Sequence, residues 1–371
     1  MNSDKITVRQ LAILLILFTI GTTILIVPAI MAETAKQDAW IAAILGTIFG
    51  VVLAWLYTVI GNRYPHLTLI EMINEAFGPW LGKAFSLTLV FFAFVTASEL
   101  VYFMGDFITA QILPETPIEA IHITYVLLVV YTVRFGLVTL VRSAEILFPF
   151  FVVLFVGLIV FISPQMELQN LLPVLDNGVK PVFQASLFYT SVFFLPSILF
   201  LMFFPSAVND PKKANRALIV GTAIGGTVLT VMIAWAVIVL GAETTARQAY
   251  PSYSLAKLIN VGKFLQRIEV IMAIMWFITI YYKMSVYFYV SVTGLAQILN
   301  FKEYRSLTLP LGMMLVVLSL IVHPDYVHSD TYDKETWFPY VSTYGLVLPL
   351  MLLLLSALRN KRNKDKRLRR P

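Results

Sequence analysis

Apolar runs long enough to cross a bilayer follow one another along this chain with little between them. A helix needs about 20 mostly apolar residues to span the roughly 30 Å of hydrocarbon. Runs of that kind lie near residues 7–32, 40–61, 83–105, 118–137, 143–162, 183–204, 214–241, 267–298, 306–323 and 337–358. They predict an all-α, polytopic membrane protein of about ten transmembrane helices, one transmembrane domain over residues 1–371. Composition agrees: 59% of residues are hydrophobic and 13% charged, whereas soluble domains run nearer about a quarter charged. The first run is long and lacks a small-residue cleavage site before the next span, so it reads as a span and not a cleaved signal.

Several chemistries are not indicated. The chain has no cysteine, which removes disulfides, thiolate metal sites and cysteine nucleophiles. Its four histidines, His66, His122, His323 and His328, form no familiar ligand array, and His323-Pro324-Asp325 with His328 is a weak metal candidate in a loop. No phosphate-binding loop, dinucleotide fingerprint or nucleophile elbow is present, so no enzyme, cofactor or metal is expected. The net charge of +6 is concentrated at one place: eight of the 27 basic residues fall in the tail Arg359–Arg370 directly after the last span. Placed there, the run reads as an anchor on anionic lipid, and no nucleic-acid role is expected.

Basic residues also set the orientation. With the N-terminus inside, nineteen Lys and Arg fall on the cytoplasmic side and seven outside, which predicts that both termini are cytoplasmic. Acidic residues punctuate the outer side at Asp106, Glu115 and Glu119, then at Asp325, Asp330, Asp333 and Glu335, with Trp40 and Trp337 opening spans at that interface. The long outer loop Leu240–Arg267, with Tyr250-Pro251-Ser252-Tyr253, is expected to pack on the protein surface. Leu67–Trp80 reads as a short interfacial helix stopped by Gly78-Pro79.

Two spans carry breaks at their centres. Span 1 has Gly21-Thr22-Thr23 with Pro28 beyond it, and span 6 has Pro196-Ser197 followed by Pro205. Glycine lowers the cost of unwinding, and proline removes a backbone donor and clashes with the preceding turn. An offset of 175 residues places Gly21 on Pro196, and Gly46 and Gly50 of span 2 on Gly221 and Gly225 of span 7. Matching G-x-x-x-G pairs beside matching breaks predict a five-plus-five inverted repeat, one half near 7–162 and the other near 183–358, with the basic tail 359–371. Breaks of this kind can be plain kinks or a binding site in which freed N–H groups meet a carboxylate and freed carbonyls meet a cation.

Two charges fall inside spans. Glu99 lies toward the outer third of span 3, either as an interfacial charge or as a cavity residue. Lys283 sits near the middle of span 8, about 15 Å from either interface and beyond the reach of a lysine stem, so it must face the bundle. There it would pair with a carboxylate, a half-helix C-terminus or a ligand, or stand where a coupling cation sits in a related transporter. Glu145 follows Arg142 by three residues, and an ion pair along that helix is expected.

The order of several short motifs resembles the B subunit of the spore germinant receptors, a permease family of the amino acid–polyamine–organocation superfamily. The resemblance rests on Gly21 through Pro28, Gln37-Asp38-Ala39-Trp40, Asn170-Leu171-Leu172-Pro173-Val174-Leu175, Gln266-Arg267-Ile268-Glu269 and the basic tail, and runs nearly end to end. It implies the ten-span inverted repeat first seen in a bacterial leucine transporter. It also implies a nutrient-sensing subunit of the spore inner membrane, working with a larger A subunit and a lipoprotein C subunit. The pocket it implies uses Gly21, Thr22 and Thr23 of span 1 and Ser191, Pro196 and Ser197 of span 6. Facing walls would come from Ser98, Glu99 and Tyr102 of span 3 and from Tyr282 and Lys283 of span 8. Span 1 departs from the paired-glycine break of many amino-acid transporters by placing threonine hydroxyls after Gly21, which leaves a sugar or an ion beside an amino acid as the ligand. A proton-coupled amino-acid permease, with Glu99 or Lys283 as the coupling group, is the alternative, and a channel-forming subunit a third reading.

Overall fold

The computed structural model describes residues 5–258 and 269–368. The helices in chain order are α1 (Val8–Ile20), α2 (Thr23–Ala35), α3 (Ala39–Arg63), α4 (Leu69–Phe77), α5 (Pro79–Gln111), α6 (Ile118–Phe135), α7 (Leu137–Ile162), α8 (Val179–Phe193), α9 (Pro211–Leu240), α10 (Ala242–Arg247), α11 (Pro251–Lys257), α12 (Glu269–Ile298), α13 (Arg305–Ile321), α14 (Tyr326–Thr331), α15 (Trp337–Ser342) and α16 (Leu348–Leu368). Eight helical stretches among the described residues are long and apolar enough to cross a membrane, and two shorter ones, Val8–Ile20 and Arg305–Ile321, are also apolar. Together they make the ten expected spans. The motif Gln266-Arg267-Ile268 and the last three tail residues lie outside the described residues, as do the side chains from Arg359 onward.

Both predicted breaks are present. Span 1 is split into α1 and α2 at Gly21, whose φ of 37° ends the first half. Span 6 runs as α8 to Phe193 and continues as a 3-10 stretch, Leu195–Met202, with Pro196 in its first turn. Counterpart spans of the two halves pack together: α2 on α8, α3 on α9, α5 on α12 and α6 on α13. The paired glycines show why the backbones approach so closely. A methyl on Gly46 would stand 2.9 Å from the Ser186 carbonyl oxygen, and one on Gly50 would enter the Phe194 ring, both in span 6. In the second half, Gly221 and Gly225 face Leu15 and Thr19 of span 1. Each half therefore lays its second span against the broken first span of the other, which is the five-plus-five inverted arrangement.

The connecting segments are built into the bundle. Thr68 and Glu71 form a reciprocal cap on α4, and its Leu69, Ile70, Met72 and Ile73 are buried beneath α5 and α16. Two of the short motifs meet each other: the Asp38 carboxylate accepts the Leu175 N–H at 3.0 Å, and Gln37 donates to the Pro173 carbonyl at 2.6 Å. Helices α10 and α11, expected to lie on the surface, are packed on α2, and Tyr250 through Tyr253 are all buried. Glu145 does not pair with Arg142 among the described residues. It reaches across to the first turn of α1, where Arg9 lies at 3.4 Å and Gln10 donates at 3.0 Å, because α1 packs on α7.

Span 10 begins earlier than its hydropathy indicates. Helical backbone starts at Tyr326, and two π-helical turns, Tyr332–Thr336 and Thr343–Val347, interrupt it. Wider turns change which side chains face the core, and such turns are common at functional sites.

Candidate ligand-binding site

A cavity of about 60 Å³ opens beside the break in span 1. It is bordered by Thr22 of the break, Ile26 and Ile30 of α2, Thr96 and Glu99 of α5, Val192 of α8, Lys283 and Tyr287 of α12, and Asp333 and Trp337 of span 10. A water needs about 10–15 Å³ of such space, so the cavity holds several waters or a small molecule. On the side toward Lys36 and Gln111 it continues into a wider vestibule of about 300 Å³, and the two share Ile26, Ile30, Phe103 and Asp333. On the opposite side it is closed by rings: Phe18 packs on Phe200 at 5.2 Å and on Tyr287 at 5.6 Å, and Phe200 on Phe203 at 5.0 Å.

The polar lining is mostly unsatisfied. Thr22 Oγ1, Thr96 Oγ1, Glu99 Oε1, Tyr287 OH and Trp337 Nε1 are all buried without a hydrogen-bond partner, and all five residues border this one cavity. Buried polar groups are normally paired, since an unpaired one costs about 1–3 kcal/mol. Five such atoms converge on this one space. Tyr332 reaches the Glu99 carboxylate with its side chain, and Asp333 interacts with Glu99 as a like charge.

Lys283 is held from both ends. Its Nζ donates to the Val192 carbonyl at 3.3 Å, an acceptor left open near the C-terminus of α8, and sits 5.7 Å from the centre of the Phe18 ring. Its stem lies on the bare backbone of Gly21. The half-helix C-terminus is therefore the partner found for this ammonium.

Several carbonyls at the breaks are taken up by neighbouring side chains. Thr279 donates to the Gly21 carbonyl at 2.9 Å, Trp276 to that of Thr22 at 3.0 Å, and Ser252 of α11 to that of Ile24 at 2.6 Å. In span 6, Ser197 donates to Phe194 at 2.5 Å and Tyr57 to Leu195 at 3.2 Å. Unwinding here is satisfied by neighbouring side chains, as the membrane interior requires.

Of the residues nominated from sequence, Thr22, Glu99 and Lys283 border the cavity, and Gly21 supports Lys283 from behind. Thr23 opens α2, and its side chain lies outside the described ones. The others turn elsewhere. Ser98 and Ser191 bond back to their own helices at Val95 and Phe188, Tyr102 packs on His323, and Tyr282 donates to Ser143 at 3.1 Å. Pro196 lies in the first turn of the 3-10 stretch, and Ser197 borders a separate small void with Tyr57 and Phe200. Sequence reading missed Thr96, Tyr287, Asp333 and Trp337. Helical spacing pointed to the first two, since Thr96 lies three residues before Glu99 and Tyr287 four after Lys283. Asp333 and Trp337 were assigned to an outer loop and an interfacial belt, and the early start of span 10 puts both on the cavity instead.

The chain is similar to known proteins over nearly its whole length. It is 30% identical to spore germination protein KB of Bacillus subtilis (strain 168) over 98% of each chain, and 24% identical to spore germination protein YndE of the same organism over 98% of this chain and 99% of the relative. Spore germination protein A2, also from Bacillus subtilis, is 27% identical over 92% and 93%. Among solved structures, Mhp1, a nucleobase-cation-symport-1 family transporter in a closed conformation with bromovinylhydantoin bound, superposes with a TM-score of 0.67. That match is 13% identical and covers 93% of this chain and 79% of the transporter, so it speaks for the shared inverted-repeat transporter fold. The sequence profile of the spore germination protein family matches residues 5–327, through the first nine spans, and the chain belongs to that family.

Proposed function

We propose that this chain is the nutrient-sensing subunit of a spore germinant receptor, binding a small molecule in the cavity between spans 1, 3, 6, 8 and 10. The observation behind this reading is the set of five buried, unpartnered polar atoms around one space that adjoins the wider vestibule. An amino acid fits the ionisable groups beside the cavity, the Lys283 amine and the Glu99 and Asp333 carboxyl groups. The basic bias of the loops supports cytoplasmic termini, which would turn the vestibule outward from the membrane that surrounds the spore core. Work with A and C subunits follows from the resemblance. Occupancy would bias the packing of the broken spans, and the partners would read that change.

Nutrient-triggered germination of spores lacking this gene tests the reading, with amino-acid uptake by vegetative cells measured in parallel. Loss of response to one nutrient class with normal uptake is expected. Unchanged germination with reduced uptake would favour a proton-coupled permease, the reading that the buried Glu99 and Lys283 beside one cavity also supports.

A further inference from the structure

Spans 4 and 9 pack side by side, and the face they share is hollowed. A groove of about 300 Å³ runs between α6 and α13, and every residue bordering it is apolar. Its floor includes Val130 and Gly312, both buried, and its walls include Leu127, Leu309 and Met313, all exposed. Gly312 lets the two helices close beneath the groove, since a β-carbon there would collide with Val130 Cγ2. The groove shares no residue with the cavity beside the span 1 break.

The same two helix faces end in charge. Residues four and seven apart share a face of a helix. Arg134 follows Val130 by four residues and Leu127 by seven, and Arg305 precedes Leu309 by four and Gly312 by seven. Both arginines are exposed, and Arg305 Nε donates to the Arg134 carbonyl at 3.1 Å, which draws the two helix ends together. Neither is in an ion pair among the described residues. Exposed Lys302 and Glu303 precede α13, and exposed Arg142 lies near the start of α7, so this end has four basic residues against one acidic.

Groove and charge are matched in length to one leaflet. Ile123, at the far end of the groove, lies eleven residues from Arg134, about 16 Å at the helical rise. Half of the roughly 30 Å of hydrocarbon is about the same depth. A lone acyl chain would fill the groove and leave the arginines unanswered, and a free phosphate would do the reverse.

We infer that the groove between spans 4 and 9 binds one anionic phospholipid, with an acyl chain between Leu127 and Met313 and the phosphate on Arg134 and Arg305. Guanidinium groups take phosphate through paired N–H donors. Seated there, the lipid ties together two spans that also pack on α12 and α5, the helices that carry Lys283 and Glu99.

The test uses the full-length chain, purified in detergent and stripped of lipid. Its thermal midpoint is followed as dioleoyl phosphatidylglycerol, dioleoyl phosphatidylcholine or glycerol 3-phosphate is added. A ligand that binds only the folded state raises the midpoint with its concentration. A saturable rise with phosphatidylglycerol alone is expected. Arg134→Gln and Arg305→Gln should each weaken it by about fivefold, as for one basic residue at an anionic membrane surface. Leu127→Trp, which fills the groove from its wall, should abolish it. Lys212→Gln, exposed at the start of span 7 on the same side of the membrane, should leave it unchanged.

An equal rise with phosphatidylcholine overturns the inference, as does an unaltered phosphatidylglycerol response in Leu127→Trp or in both arginine variants. A rise with glycerol 3-phosphate equal to that with lipid assigns the arginines to a free phosphate and removes the acyl-chain site. If Leu127→Trp fails to fold, exposed Met313→Trp carries the groove comparison. A photo-crosslinking residue in place of Leu127, activated in intact cell membranes, should gain a lipid-sized mass. A protein-sized adduct would give the groove to a partner's helix and overturn the lipid assignment.

Discussion

The Lys283 side chain lies across the bare Cα of Gly21, so that a β-carbon there would collide with Lys283 Cδ. The same added atom would stand 2.9 Å from the Phe18 carbonyl oxygen, and the residue's φ of 37° disfavours any L side chain. The break in one helix and the buried ammonium of another are thus a single packing unit. Gly21→Ala is expected to destabilise the chain by about 1–3 kcal/mol through overpacking and backbone strain. It is also expected to lower nutrient sensitivity by displacing Lys283. The detergent-solubilised thermal midpoint and a germination dose–response curve check the two effects, and a wild-type midpoint would show that the collision is easily relieved.

Replacing the ammonium itself has a different signature. Lys283→Met leaves the Val192 carbonyl without its donor, at a cost of about 1–3 kcal/mol, but also removes a charge that is unfavourable to bury. The two effects oppose each other, so the variant should fold with a midpoint closer to wild type than Gly21→Ala. Nutrient response should nonetheless fall, because an ionisable group on the cavity lining is gone. A variant that folds normally and germinates normally would exclude Lys283 from ligand recognition.

The carbonyls of the span 1 break depend on α12. Thr279→Val and Trp276→Phe strip the donors from Gly21 and Thr22 and leave buried acceptors unpaired. Each should cost about 1–3 kcal/mol. Amide hydrogen exchange around Gly21–Ile24 should accelerate in both variants, since the half-helices lose their external ties. Unchanged exchange would mean that the break is held by packing alone.

The matching glycine pairs differ in how much room they have. A methyl on Gly46 would stand 2.5 Å from Tyr189 Cδ1 and 2.9 Å from the Ser186 carbonyl oxygen, whereas one on its counterpart Gly221 would lie 3.3 Å from the Leu15 side chain. Gly46→Ala is expected to lose about 1–3 kcal/mol, and Gly221→Ala less than about 1 kcal/mol. Comparing the two midpoints measures how far the repeats, equivalent in sequence spacing, have diverged in packing.

The readable part of the site shows where sequence logic works. Lys283 was legible because its position in a span fixes its depth, and no lysine stem reaches an interface from there. Glu99 was legible as an intramembrane charge, though its place on the cavity was only one of two readings. Ser191 and Ser197 were nominated beside the span 6 break and Ser98 and Tyr282 as facing walls implied by the resemblance, and all four turn to partners in their own helix or a neighbouring one.

Hydrophobicity and its interruptions determined the membrane architecture, the ten spans and the position of both breaks, because the bilayer tests each segment by length and polarity one at a time. Which side chains share the cavity was decided only by tertiary structure. Successive residues on a helix point about 100° apart, and a span apolar on every side carries no stripe that reveals its inward face. For Asp333 and Trp337 the decision lay in packing as well: the neighbouring helices carry span 10 eleven residues beyond its hydropathic start and turn both side chains onto the space beside Thr22.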